Sequence, residues 1–154
     1  MRHYSTAILL VISLCFDLFL LYYPPPHTLD ARLFYSPTTA LTYLESLGEL
    51  GRRHYRIHEL ADLTFIIAYS ALLLRLAAFA GRLRLVCWLP GFFDVIETGG
   101  ILILLAAYPN RLLFLATLVA AATPLKWASF LLVLSFYSRK KGTRFPIGGI
   151  LPTV

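Results

Sequence analysis

Lys126 stands near the middle of LATLVAAATPLKWASFLLVLSF, an apolar run beginning at Leu115 that would otherwise read as a plain membrane-crossing helix. A lysine facing acyl chains at mid-bilayer costs from about 3 kcal/mol to well above about 10 kcal/mol, so this residue demands partners. The candidate partners inside other apolar runs are Asp17, Arg75, Asp94 and Glu97. Asp94 and Glu97 are three positions apart, hence on one face of a helix. Charges placed this way mark proton or ion paths, substrate sites or catalysis. They also fix the register and partner choice of helices that apolar packing leaves ambiguous. With little extramembrane mass and no internal repeat, the packing role is the preferred reading.

The elements that carry these residues follow from composition. The chain is 58% hydrophobic and 14% charged, with a mean hydropathy of +0.72, which sets a single 154-residue domain in the membrane class. Apolar stretches near 5–23, 61–80, 85–108 and 112–137 each approach the roughly 20 residues needed to cross a hydrocarbon core of about 30 Å. Tyr4, Tyr23, Trp88, Tyr108 and Tyr137 mark their ends. The expected fold is all-α, a four-transmembrane-helix bundle; the runs are continuous rather than alternating, which excludes a barrel. Arg2 followed by an apolar run suggests a signal peptide, but no small-x-small cleavage site comes before Tyr22, Tyr23 and the prolines 24–26, so it reads as a span. Cys15 and Cys87 read as small apolar fillers.

Measured from the side of the termini, Lys126 and Glu97 lie about 16 Å deep, Asp17 about 18 Å, Asp94 about 12 Å and Arg75 about 8 Å, from a rise of about 1.5 Å per residue. A buried cluster is therefore expected, with Lys126 bridging the acids of the third span and Arg75 approaching Asp94 from below. Asp62 falls too near the opposite surface to join. Close packing is expected at the small-residue pairs Ala116/Ala120 and Thr117/Ala121 and at Gly99 with Gly100. Pro124 removes a backbone donor and is expected to bend the fourth span.

The formal net charge of +6 does not point to nucleic acid, because the basic residues sit at membrane edges. Arg2, Arg82, Arg84, Arg139, Lys140, Lys141 and Arg144 fall on one side, against Arg32, Arg52, Arg53, Arg56 and Arg111 diluted by acids on the other. The bias puts both termini in the cytoplasm or the matrix. Arg139, Lys140, Lys141 and Arg144 suit anionic lipid headgroups, as do Arg52, Arg53 and Arg56. The first loop, 24–60, contains YSPTTALTYLESLG, in which Ser36, Pro37 and Gly48 punctuate a short amphipathic helix near 37–47. His54, His58 and Asp62 recur every four residues along a helix leading into the second span. They are weak metal candidates; histidines snorkelling to the interface are the preferred reading, and no metal is expected. The tail 138–154 has no periodicity.

The segments LGELGRRHY with Asp62 and Tyr69, LPGFFDVIETGG with Tyr108 and Pro109, and TPLKW from Thr123 resemble a scattered set of uncharacterised small four-helix integral membrane proteins. The resemblance covers most of the chain after Ser36. Ile66 and Thr98 stand where that set often has a proline and an asparagine. It implies the architecture and brings no activity.

No nucleophile constellation, phosphate loop, haem ligand pair or dinucleotide fingerprint is discernible, so no cofactor is expected. The first expectation is a non-enzymatic accessory subunit of a larger membrane complex, such as a mitochondrial energy-converting assembly, contacting lipids and other membrane subunits. A small proton-linked carrier using Asp17, Asp94, Glu97 and Lys126 comes second. A membrane enzyme acting on lipid through His54, His58 and Asp62 comes third.

Overall fold

A computed structural model of the chain describes residues 28–76 and 83–142, together with Ile8, Val11, Ile12 and Cys15, which are helical. All regular structure among the described residues is α-helical. The elements are α1 (Pro37–Ser46), α2 (Gly48–Leu76), the single turn α3 (Leu83–Val86), α4 (Leu89–Ala107) and α5 (Leu113–Gly142). Three of these helices are long and apolar enough to cross a membrane: α2 over Gly48–Arg75, α4 over its whole length and α5 over Leu113–Phe136. The protein is integral to the membrane on that evidence. The expected first span near 5–23, with Asp17, lies outside the described residues apart from the four positions named, as does the tail beyond Gly142.

Local chemistry explains the boundaries. Ser36 caps α1, its Oγ accepting from the Thr39 amide at 3.0 Å, and Pro37 occupies the first helical turn, where a missing amide hydrogen costs nothing. Gly48 takes φ of 63°, a left-handed conformation that lets the chain leave α1 and start α2 without an intervening loop. The helix leading into the second span is thus continuous with it for 29 residues. Pro90 sits in the first turn of α4, while Pro124 lies inside α5, which continues through it.

The closest packing is between α4 and α5, then α2 against α4, with α1 laid on α5. Ile101, Leu104 and Leu105 of α4 meet Ala116, Val119 and Ala120 of α5 in a core that also takes Leu41 and Leu44 of α1. Gly100 makes this possible: a Cβ there would collide with Val119 Cγ2. Of the expected small-residue contacts, Ala116, Ala120 and Gly100 are used. Thr117 and Ala121 are exposed, and Gly99 faces open space, because α4 meets α5 on the adjacent face.

The first loop departs most from expectation. Residues 28–36 do not stay outside the bundle; they form a strap without regular structure that packs among the helices, with Thr28, Leu29 and Tyr35 buried. Irregular backbone is tolerated in such a place only when its polar groups find protein partners. Leu29 N donates to the Tyr55 hydroxyl at 3.2 Å, and the Arg32 carbonyl accepts from Trp127 Nε1 at 2.9 Å.

Candidate functional site

The fold brings the ionisable side chains of α2, α4 and α5 to one interior layer beneath the strap. Lys126 is 5% exposed. Its Nζ lies 2.6 Å from Glu97 Oε2 and 3.0 Å from Asp94 Oδ1, and donates to the Asp30 carbonyl at 3.2 Å. These are three contacts for the three hydrogens of an ammonium. The carboxylates are held in turn. Glu97 Oε1 accepts from the Tyr35 hydroxyl at 3.2 Å and from Thr123 Oγ1, and Asp94 Oδ2 accepts from the Tyr69 hydroxyl at 2.7 Å. Thr123 and Lys126 are three apart on α5, as Asp94 and Glu97 are on α4, so each helix presents its pair on one face.

Arg75 does not take the place expected for it. It is exposed, and among the described residues it forms no ion pair with Asp94. Tyr69, a turn and a half earlier on α2 and deeper in the bundle, supplies the donor instead. Asp17 lies outside the described residues.

Asp62 joins the layer, contrary to the expectation that it would sit near the far surface. It is buried, and its Oδ2 accepts from Thr98 Oγ1 at 2.9 Å. The depth count went astray because α2 starts at Gly48 rather than near residue 61, so its apolar segment sits in a different register. One face of α2 then carries Tyr55, His58, Glu59, Asp62, Ile66 and Tyr69, all buried. That three-and-four spacing is visible in the sequence and is the signal that locates Glu59. The four-residue series His54, His58, Asp62 cuts across it. His54 is half-buried, and His58 Nε2 faces Asp30 Oδ2 at 3.5 Å. Among the described residues no three His, Cys, Asp or Glu side chains converge on a metal-sized site.

Glu59 stands apart from its neighbours. It is fully buried, and neither carboxylate oxygen has a hydrogen-bond partner among the described residues. The Tyr55 hydroxyl one turn earlier is near enough to act on it without meeting hydrogen-bond geometry.

The strap's own acid behaves differently. Burial would push the Asp30 carboxyl up, but His58, by contact and charge, and the Lys126 ammonium outweigh it and hold it below its ordinary value of 3.8. Burial and the charge of Glu97 push the Tyr35 phenol up. Burial, with Asp30 adding to it, pushes Tyr43 on α1 up to about 12.

The arginines expected at lipid headgroups are divided. Arg53 is exposed, whereas Arg52 donates to the Leu44 carbonyl at 3.4 Å with its guanidinium 3.8 Å from the Tyr108 ring centroid, and Arg56 donates to the Leu105 carbonyl at 3.1 Å. The last two tie α2 to α1 and α4. The side chains of Arg139, Lys140, Lys141 and Arg144 lie outside the described residues. A shallow cavity of about 390 Å³, lined by Arg32, Thr38, Thr39, Thr42, Tyr43 and Ser46, opens on the outer face of α1.

Compared with protein-family models, curated proteins and solved structures, the chain gives no match.

Proposed function

We propose that this chain is a four-span integral membrane protein acting as a non-enzymatic accessory subunit of a larger membrane complex, with the Lys126 cluster locking its helices in register. One observation carries the reading: the ammonium forms ion pairs with Glu97 and Asp94 and donates to the Asp30 carbonyl, so one buried joint ties α4, α5 and the strap together. A charge committed in this way is suited to holding partners in place rather than to handling a substrate. The fourth span is the stretch near 5–23. Both termini are assigned to the cytoplasmic or matrix side by the basic residues there, anionic lipids are the expected bilayer contacts, and the mitochondrial inner membrane is the proposed location.

Extraction from native membranes in mild detergent, followed by native electrophoresis and mass spectrometry, tests the proposal. The chain should migrate in an assembly well above its own 17.4 kDa, with the same membrane subunits recovered each time. Migration as a lone protein–detergent particle would remove the reading.

A second reading, a small proton-linked carrier, is supported by the uncompensated Glu59. Reconstitution of the chain alone in liposomes distinguishes the two: pH-dependent flux lost in Glu97→Gln would favour the carrier.

A further inference from the structure

The buried layer has two halves. Around Lys126, the ammonium stands at ion-pair distance from Asp94 Oδ1 and Glu97 Oε2. Around Glu59 the balance differs: among the described residues Glu59 forms no ion pair, and both its oxygens, Asp30 Oδ1 and His58 Nδ1 are buried without hydrogen-bond partners. The groups whose charge reaches Glu59 are themselves acidic or phenolic: Asp30 and Tyr35 from the strap, Tyr43 from α1, Tyr55 and Asp62 from α2, and Glu97 from α4. His58, on the same face of α2, is turned toward Asp30. The cation that α5 contributes to the layer, Lys126, is already taken by Asp94 and Glu97. Among the described residues, acceptors therefore outnumber donors here, and what would complete the site is positive charge.

We propose that Glu59 is a proton-exchange site in the bundle interior, reached from the strap side through the Asp30–His58 pair. The ligand is a proton rather than a metal ion because, among the described residues, the surrounding carboxyl groups form no metal-sized cluster. Loading moves one proton from hydronium in the bulk to a Glu59 carboxylate oxygen, breaking the hydronium O–H bond and leaving water, and unloading reverses this. Asp30 is the link to water, since its side chain is 17% exposed while Glu59 is wholly enclosed. The inference deepens the carrier reading but concerns binding alone, so the site can stand where transport fails.

Infrared difference spectroscopy of the full chain in lipid nanodiscs, stepped between acidic and alkaline buffer, tests it. A carbonyl band of a protonated carboxyl group should come and go with pH. It should vanish in Glu59→Gln, shift in Glu59→Asp, and remain in Glu49→Gln, whose side chain is exposed. Should Glu59→Gln fail to fold, the shift in Glu59→Asp carries the test. Asp30→Asn should slow exchange of the band in deuterated buffer several-fold. A pH-dependent band indifferent to both Glu59 variants, or no such band at any pH, overturns the site. Loss of the band on adding sodium or potassium at constant pH would show an alkali ion displacing the proton and would overturn a site for the proton alone. Exchange unaffected by Asp30→Asn overturns the route. A band obeying these rules in a chain that gives no flux in liposomes leaves the site standing and removes the carrier reading.

Discussion

Removing the ammonium of Lys126 would strand Asp94 and Glu97 as neighbouring buried carboxylates, one 5% and the other 0% exposed. Breaking one side of a buried ion pair costs about 3–5 kcal/mol, largely through the charge left behind. Lys126→Met is therefore expected to lower thermal stability in detergent by that order, and adding Asp94→Asn with Glu97→Gln to return part of it. Strict additivity across the cycle would mean that the three do not interact. These residues could be brought together from sequence alone, because each interrupts an apolar run and their depths can be counted from its ends. Asp30 could not, since it lies in a stretch polar enough to read as outside the membrane; Glu59 is marked only by the three-and-four spacing of its helix face, and its burial depends on the strap. Asp30 gives the strap a pH dependence. Its carboxyl is held below 3.8 by His58 and Lys126, so its stabilisation is complete above that value and is lost as pH falls through the lowered one. Trp127, whose indole donates to the Arg32 carbonyl, should report this by fluorescence: steady through mildly acidic pH, changing only at stronger acidity, and without that change in Asp30→Asn. Release of the strap near neutrality would contradict the assignment.

The α4–α5 contact is the one most exposed to a single methyl group. Gly100 lies against Val119, whereas Gly99 beside it has nothing within 4 Å of where a Cβ would be. Overpacking a close contact costs about 1–3 kcal/mol, so Gly100→Ala should destabilise the bundle by that order and Gly99→Ala should leave it nearly unchanged. Adding Val119→Ala to Gly100→Ala should recover part of the loss, and thermal unfolding of the four proteins checks the series. Equal effects at the two glycines would mean that α4 faces α5 differently. Sequence reasoning could name both glycines as small but could not choose between them, because the choice depends on helix rotation. The same limit explains α2. Its existence follows from an apolar run with a helical lead-in; its start at Gly48 and its vertical register do not, the register being set by Thr98 meeting Asp62 and Tyr69 meeting Asp94, contacts that no single segment reveals.

At the scale of the molecule, three crossing helices alternate in direction, so Ser46, at the end of α1, and Ser138, near the end of α5, fall on opposite membrane faces. Both side chains are exposed, which suits them to labelling. The arginines of the α1 face are largely engaged at the protein surface: Arg111 pairs with Glu45 at 2.7 Å, Arg52 rests on Tyr108, and Arg56 binds a carbonyl of α4. The basic residues at the other face follow directly on α5, where an excess of lysine and arginine has most influence on orientation. In a background with Cys15 and Cys87 replaced by alanine, Ser138→Cys should accordingly be modified by a membrane-impermeant thiol reagent only from the cytoplasmic or matrix side. Ser46→Cys should be modified only from the opposite side, in intact vesicles of known orientation. The reverse pattern would leave the helix packing untouched. It would, however, place the strap, and with it the route to Glu59, on the side where the proposed orientation puts the termini.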